Sequence, residues 1–372
     1  VITAMPSLSI APDGRAAGMG DVGVATNADL NSQHWNPAKY AFMDSKGGIT
    51  ANYTPWLTKL VSDIDLAYIA GYYNMGDRIG ALSASFSYFS MGAVQLVDYS
   101  GTAFQEAHPN EWSLDLAYSR KLHEYVSMAV AMRFLYSDLN NGVNASVNNA
   151  SEEMHPAWTM AADVALYYRQ PIELPMGTSH FNLGFTLKNL GGKMNYADDG
   201  SSNFIPGSMN IGVGYELPCD KYNFLTFNVE ANKLLVPSRN SAFTEGFDPN
   251  DETTWQMSQV EYSNLNSAKG WFQSFADAPG GVAEEFREVR WGAGIEYSYN
   301  HQFFARAGYS YENYYKGNRN YVTFGAGFHL SIVTLDVSYC VGLAASNPLD
   351  QTMRFTLGFD LAGIEDLVNN KK

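Results

Sequence analysis

Short segments in which apolar and polar residues alternate recur along the whole chain. In residues 353–361, Met, Phe, Leu, Phe and Leu alternate with Arg, Thr, Gly and Asp. Side chains of a β-strand point to opposite faces with a period of two, so such a segment has one apolar and one polar face. Most of the segments have the length of a strand that crosses a bilayer at a tilt, about 9–11 residues. The pattern predicts an all-β fold, an antiparallel transmembrane β-barrel, rather than a soluble sandwich.

The links between the segments support a barrel of fourteen strands. The predicted strands are 47–56, 62–73, 79–90, 111–120, 125–138, 158–169, 180–189, 207–217, 223–234, 289–299, 302–314, 321–331, 333–341 and 351–362. Links after even-numbered strands are short, whereas several links after odd-numbered strands are long: 91–110, 139–157, 190–206 and 235–288. Outer-membrane barrels have short periplasmic turns and long outer loops. The sequence therefore predicts a bacterial outer-membrane barrel with both termini in the periplasm.

Composition agrees with a membrane barrel and excludes nucleic acid as a partner. The chain has 38 acidic and 23 basic residues, a net charge of −15, whereas phosphate binding requires a basic surface. Its 24 Tyr and 21 Phe suit the aromatic girdles that barrels place at the two membrane interfaces. The length of 372 residues is ordinary for fourteen strands with their loops.

The polar faces of the predicted strands include charges of both signs. In strand 223–234, Thr226, Asn228 and Glu230 are predicted to point inward. Further residues predicted to face the lumen are Asp65, Asp115, Arg133, Asp163, Lys188, Glu216, Arg290, Glu296, Arg306, Asp336 and Arg354. An unpaired buried charge is costly, so these side chains are expected to pair across the interior.

Two motifs resemble ligand sites but lack the context that such sites require. Residues 18–23 match the G-x-G-x-x-G dinucleotide fingerprint, but no parallel strand precedes them and no long helix follows. Their glycines are interpreted as positions of tight backbone packing. Asp248, Asn250 and Glu252 imitate the start of a calcium loop, but the glycine and the closing glutamate are absent. No catalytic residues, cofactor or metal centre are predicted, and the chain is expected not to be an enzyme; an irregular surface calcium site stays open.

The link 235–288 is the most unusual element of the sequence, because connections of this length rarely lack a function. It contains nine acidic and three basic residues and eight aromatic residues. Trp271, Phe272 and Phe275 have the spacing of one face of a short helix, and Trp255 precedes them. Exposed aromatic clusters are typical of binding hot spots, so these four residues are predicted to bind a protein partner. The alternative is a lid that folds over the barrel mouth.

The N-terminal region resembles a known family of membrane proteins. Its residues 12–26 read PDGRAAGMGDVGVAT, and residues 35–39 read WNPAK. This stretch is similar to the hatch of FadL-type outer-membrane proteins, in which a glycine motif precedes an Asn-Pro-Ala turn inside a fourteen-stranded barrel. Residues 20–21 and 37–42 resemble the PorV family of the type IX secretion system most, with the paralogous PorQ proteins as the alternative.

The resemblance implies a domain organisation and a function. Residues 1–46 are expected to form a hatch that plugs the barrel 47–362, and residues 363–372 a periplasmic tail. The hatch residues that match by position are Gly18, Gly20, Asn36, Pro37 and Ala38, and Arg15 is expected to anchor the hatch to acidic residues of the lumen.

PorV-like proteins receive secreted cargo, through its C-terminal signal domain, at the translocon barrel. They pass it to a cell-surface sortase complex that attaches it to lipopolysaccharide. The resemblance thus implies a shuttle that is neither a channel nor an enzyme.

Two other functions stay open at the level of sequence. A FadL-type transporter of hydrophobic small molecules would share the barrel and the hatch, but it needs an apolar pocket. The predicted inward faces are instead mostly Ser, Thr, Asn, Gly and charged residues. An outer-membrane hydrolase would need an acid, a base or a nucleophile at the outer rim, and residue spacing does not exclude groups assembled in space.

Overall fold

The protein folds into one closed antiparallel barrel. The structure is a computed structural model that describes residues 3–59, 61, 63–97, 103–141, 155–197, 202–238, 261–278, 281–330, 332–343, 347 and 349–361. Its strands are β1 Gly47–Pro55, β2 Asp65–Asn74, β3 Ala81–Ser90, β4 Val94–Val97, β5 Ala103–Ala107, β6 Asn110–His123, β7 Val126–Asp138, β8 Ala157–Leu174, β9 Gly177–Gly191, β10 Ser208–Pro218, β11 Asn223–Leu234, β12 Arg290–Tyr299, β13 Phe303–Tyr311, β14 Tyr321–Leu330, β15 Val333–Gly342 and β16 Met353–Asp360. All but β4 and β5 belong to the barrel, and β1 pairs with β16 to close it.

Alternation along the strands decides which side chains face outward. In β16, Phe355 and Leu357 are exposed on the outer face, whereas Arg354 and Thr356 are buried inside. Outward aromatic residues cluster toward both ends of the strands. They are Tyr53, Tyr88, Trp158, Trp291, Tyr311 and Tyr339 toward the long loops, and Tyr73, Tyr118, Tyr297, Tyr299, Phe303 and Phe359 toward the short turns. These two bands are the aromatic girdles of an outer-membrane barrel. The predicted fourteen-stranded antiparallel transmembrane barrel is therefore confirmed.

One side chain faces the opposite way from the prediction. Asp65 lies on the outer face of β2 and accepts a hydrogen bond of 2.6 Å from the hydroxyl of Tyr53. The inner face of β2 instead carries Tyr68 and Tyr72, which are buried. The ring of Tyr72 stacks on that of Tyr40, with 4.6 Å between the ring centroids. Because β2 is apolar on both faces, alternation alone does not fix its orientation. Packing against the N-terminal region decides it.

Two predicted links contain strand. Strands β4 and β5 form a separate two-stranded hairpin inside the predicted loop 91–110. The predicted link 170–179 shrinks to a turn at residues 175–176, because β8 and β9 run on to Leu174 and from Gly177. Both strands continue past the apolar band, where outward residues become polar and the alternation fades.

The interior of the barrel is filled by the N-terminal region. It consists of two 3-10 segments, Pro6–Ser9 and Pro37–Phe42, and two short helices, α1 Gly14–Ala17 and α2 Ser32–Trp35, joined by turns. Most of its described residues are buried, and β1 begins at Gly47. The barrel encloses this segment as its core, and we refer to residues 3–46 as the hatch.

The long link between β11 and β12 carries helical structure. Helix α3 spans Ser267–Gln273 and helix α4 spans Val282–Arg287. A 3-10 turn, Tyr314–Lys316, lies in the link between β13 and β14 at the same end of the barrel. Of the helices in the described residues, none has the length and apolar character needed to cross a membrane.

Candidate functional site

Residues 18–25 of the hatch run along the inner wall of the barrel with backbone against backbone. A Cβ atom built on Gly308 would lie 2.0 Å from the carbonyl carbon of Met19, and one on Gly184 would lie 2.2 Å from the oxygen of Val24. Only glycine leaves room for the hatch at these wall positions. The glycines that contact this stretch form a track, which we name the glycine track: Gly184, Gly212, Gly214, Gly292, Gly294, Gly308 and Gly325.

Gly18 and Gly20 are hatch residues that contact the inner wall of the barrel just as closely. A Cβ on Gly18 would lie 3.0 Å from the Cα of Gly325. Gly20 has a φ of +77°, and its Cβ would lie 2.7 Å from the carbonyl oxygen of Tyr309. Residues other than glycine rarely adopt this φ, and no side chain fits the space at this position. The G-x-G-x-x-G pattern thus serves backbone packing.

Side chains of the wall satisfy the hatch backbone, which has little regular structure of its own. The N–H of Gly20 donates to the hydroxyl of Thr323 at 2.8 Å. The N–H groups of Gly23 and Val24 both donate to one carboxylate oxygen of Glu230 at 2.9 Å. Buried backbone groups need such partners, so these contacts stabilise the hatch in one position.

Arg15 lies at the centre of a buried ladder of charges between the hatch and the wall. Its guanidinium pairs with Asp29 at 2.7 Å and with Glu296 at 2.9 Å. Glu296 also pairs with Arg306, which pairs with Asp336 at 2.6 Å. The structure thus supplies the partners of Arg15 that the sequence left unnamed, one in the hatch and one on β12.

The ladder also sets the ionisation of Asp29. Burial alone would raise the pKa of its carboxyl, but the neighbouring Lys39 and Arg15 hold that pKa below its ordinary value. Asp29 is therefore a carboxylate near neutral pH, as its ion pair requires. Breaking such a pair from one side would leave an uncompensated buried charge.

The predicted Asn-Pro-Ala turn lies deep in the barrel. The side-chain oxygen of Asn36 accepts the N–H of Ala38 at 3.1 Å and caps the 3-10 segment, which begins at Pro37. Its amide group donates to the carbonyl of Val24 in the hatch and to that of Leu166 in the wall, both at 3.0 Å. One side chain therefore joins the turn, the glycine-track stretch and strand β8.

Lys39 is a functional residue of the hatch that the sequence did not single out. Its ammonium donates to the carbonyl of Gly23 at 2.8 Å and to the hydroxyl of Thr26 at 2.9 Å. Burial lowers the pKa of Lys39, and the nearby Asp29 partly opposes this shift. The side chain ties the two halves of the hatch together. Its place in the WNPAK motif was the signal in the sequence.

A cavity of about 840 Å³ opens above the hatch at the long-loop end of the barrel. Val24 and Trp35 of the hatch form part of its floor, and strands β9–β12 form part of its wall. We name it the mouth cavity. Charged residues that line it are Asp21, Lys188, Glu230, Glu288, Arg290, Glu312, Lys316 and Arg319.

A network of ion pairs holds helix α4 against the mouth of the barrel. Lys233 at the end of β11 donates to Glu285 and to Glu288, both at 2.8 Å. Lys316 of the facing link donates to Glu284 at 2.6 Å and to Glu288 at 2.9 Å. Two lysines, one on β11 and one on the link between β13 and β14, thus bind the same helix.

We predict that substituting Lys233 with Met will loosen α4 without unfolding the barrel. The substitution keeps the length of the side chain but leaves Glu285 and Glu288 without the ammonium, at a cost of about 1.5–3 kcal/mol. Protease cleavage within 281–288 should become about 10–100-fold faster in the native protein. The matched control is K269M on exposed helix α3, and equal cleavage rates of the two variants would contradict the prediction.

In the described parts of the links β11–β12 and β13–β14, five aromatic side chains are exposed, and we name them the aromatic rim. They are Phe272, Phe275, Phe286, Tyr314 and Tyr315. Tyr315 is 80% exposed and Phe272 is 79% exposed, so nothing in the described residues covers them. Phe286 on α4 and the Tyr314–Tyr315 pair were not selected from the sequence, because tertiary contacts such as those of Lys316 with Glu284 and Glu288 bring their links together.

The predicted docking residues are placed differently from one another. Phe272 and Phe275 are exposed, and the ammonium of Lys233 lies 5.8 Å from the ring centre of Phe275. Trp271 is half-buried, with its indole nitrogen 3.7 Å from the position of a Cβ on Gly207. Trp271 therefore anchors α3 to the barrel more than it presents a surface. Trp255 lies outside the described residues.

Three carboxylates come together beneath α4. Ligand atoms of Asp277, Glu285 and Glu288 lie within 4.8 Å of one another. The ammonium of Lys233 already contacts two of them, and Asp277 accepts the backbone N–H of Ser238. The lysine thus occupies the place that a cation would take. The calcium-like residues 248–252 lie outside the described residues.

Comparison with known proteins places the geometry in context. A family model described as type IX secretion system protein PorV matches residues 1–241. No curated protein sequence matches the chain significantly.

Solved structures with the same fold include two toluene transporters. P. putida TodX has a TM-score of 0.51 and 10% identity, with 93% of this chain and 97% of that chain covered. Ralstonia pickettii TbuX has the same TM-score of 0.51, 10% identity and coverages of 93% and 97%. At this identity the likeness concerns the fold, a FadL-like barrel.

Proposed function

The chain belongs to the PorV family of type IX secretion system proteins, and from this premise we propose that it is a non-catalytic docking protein for secreted cargo. In this proposal it binds the C-terminal signal domain of cargo at the translocon barrel. It then carries the cargo to the sortase complex that attaches it to lipopolysaccharide. The long loops face the cell exterior and both termini face the periplasm.

The filled barrel supports a docking role rather than conduction. The hatch contacts the wall through the glycine track, through the Arg15 ladder and through the side chain of Asn36. Each of these contacts is buried, and together they couple the hatch to strands on several sides of the lumen. A barrel held shut in this way offers its outer end as a fixed platform.

The aromatic rim is the observation that carries the proposal. Large aromatic side chains exposed at one end of a protein mark protein-binding surfaces, because they bury much apolar area on binding. The link 235–288, which supplies Phe272, Phe275 and Phe286, has nine acidic and three basic residues. We therefore expect the cargo domain to meet it with an apolar patch framed by basic residues.

The test is the affinity of a purified C-terminal signal domain from the same bacterium. Replacing both Phe272 and Phe286 with Ser should weaken binding more than about tenfold, since aromatic hot spots contribute 2 kcal/mol or more. Surface plasmon resonance on the detergent-solubilised barrel measures the change. The control is M176S, which alters an exposed apolar side chain in the short turn at the opposite end. Unchanged affinity in the double variant would remove the aromatic rim as the docking surface.

Transport of hydrophobic small molecules is the alternative function, and its support is the fold shared with the toluene transporters. The mouth cavity argues against it, because charged and amide side chains line much of its wall. Apolar ligands prefer pockets lined mostly by apolar side chains. Calorimetric titration with toluene and with laurate distinguishes the two functions: binding of either would favour transport.

A further inference from the structure

Two cations in the mouth cavity flank a row of amide side chains. Lys188 of β9 pairs in register with Ser208, and Arg290 of β12 pairs with Asn232. Between them Asn232 pairs with Asn210 on the neighbouring strand. The two cations are thus three strands apart, about 14 Å around the wall. Both line the mouth cavity, so their side chains reach toward the amide row from its two sides.

Neither cation has a carboxylate partner within ion-pair distance in the described residues. The ammonium of Lys188 donates to the carbonyl of His34 at 2.6 Å, which is a neutral acceptor. Arg290 has no acceptor among the described residues for its five donors. Both side chains are therefore charged donors facing a cavity with hydrogen-bonding capacity to spare.

Each acidic residue of the same cavity already has at least one hydrogen-bond or ion-pair partner. Glu230 accepts the N–H groups of Gly23 and Val24, and Asp21 accepts the hydroxyl of Tyr321. Glu312 accepts from Arg319 at 2.8 Å. Glu288 accepts from Lys316 at 2.9 Å. Within the described residues, none of these carboxylates lies at ion-pair distance from Lys188 or Arg290.

We infer that the mouth cavity binds the carboxylate of an extended peptide segment between Lys188 and Arg290. The identification of the ligand as a peptide rests on the proposed function, whereas the anionic chemistry rests on the two cations. Asn232 lies beside the site and donates to the side-chain oxygen of Asn210, and its own side-chain oxygen is an acceptor type that suits a peptide N–H. A volume of about 840 Å³ is large enough for a short segment. The acyl chain of a fatty acid would need apolar side chains at the positions where these amides lie.

The test uses the last twelve residues of a secreted signal domain from the same bacterium as a dye-labelled peptide. It is made with a free C-terminal carboxylate and as the amide, and binding to the intact barrel in detergent is followed by fluorescence anisotropy. The free acid should bind at least about tenfold more tightly than the amide. In R290Q this ratio should fall toward one, and K188Q should lower it independently. R287Q, which removes an exposed arginine outside the cavity, should leave the ratio unchanged.

Several outcomes would overturn the inference. They are equal affinities of acid and amide in the unaltered protein, an unchanged ratio in R290Q, and displacement of the peptide by laurate. Heat-modifiable migration on gels verifies that R290Q still folds. The double substitution of Phe272 and Phe286 distinguishes this site from the docking surface. If that variant still prefers the free acid while its affinity for the whole signal domain is unchanged, the aromatic rim is not the docking surface and the cavity site stands. If the whole signal domain does not bind the unaltered protein at all, the proposed function fails.

Discussion

Substituting Glu296 with Ala is expected to lower the free energy of hatch opening by about 3–5 kcal/mol. Its carboxylate accepts from Arg15 of the hatch and from Arg306 of β13. All three side chains are buried, so removing the acid leaves two guanidinium groups facing each other without the carboxylate that lies between them. The remaining partners, Asp29 and Asp336, hold one guanidinium each and keep the loss from becoming larger.

The two cysteines of the chain provide the measurement. Cys340 is buried on the inner wall beside Thr323, which binds the N–H of Gly20, and Cys219 is exposed in a turn. Maleimide should label Cys219 at once and Cys340 only when the hatch opens. In E296A the rate at Cys340 should rise by about two orders of magnitude under native conditions. The control is E173A, an exposed glutamate near the short-turn end of β8. Protection of Cys340 equal to that of the unaltered protein would show that the ladder does not hold the hatch.

Substituting Gly308 with Ala is the second change with a large expected effect. The added Cβ would lie 2.0 Å from the carbonyl carbon of Met19 and 2.1 Å from the nitrogen of Gly20. Both are backbone atoms of a stretch tied to Thr323, so no side chain can move aside. Overpacking in a well-packed interior costs about 1–3 kcal/mol, and a backbone clash reaches the upper end or more. We expect the hatch to leave its track.

The expected result for G308A is rapid labelling of Cys340 in a barrel that still migrates as folded. The strands themselves accept alanine, because the clash is with the hatch alone. The control is G71A in β2, where the nearest atom to the added Cβ is 3.3 Å away. If Cys340 is labelled no faster in G308A than in G71A, the hatch has a second position that is compatible with the wall.

Much of the barrel could be predicted from the sequence because strand orientation is a local property. Alternation along one strand gives both the strand and its two faces, as over the eight residues of β16. It failed at Asp65, where both faces of β2 are apolar, and in the long links, where the hairpin β4–β5 and helix α4 carry no membrane-length pattern. Whether a side chain in those links is exposed depends on which neighbouring links it contacts.

The candidate site shows the same division. Arg15, Gly18, Gly20 and Asn36 were identified from the sequence, yet their partners were not. Glu296 follows Arg15 by 281 positions, and Thr323 follows Gly20 by 303. No local pattern links residues so far apart. Their contacts exist because the barrel closes around the hatch.

By itself the sequence determined that the chain crosses a membrane as a barrel and that its first residues form a distinct segment. These conclusions depend on periodicity and on a short motif, which neighbouring residues encode. Only the tertiary structure decided which glycines make the track, which acids hold Arg15, and which cations face the mouth cavity. Those outcomes depend on the register between strands and on the curvature of the closed wall, and both arise only when all fourteen strands are paired.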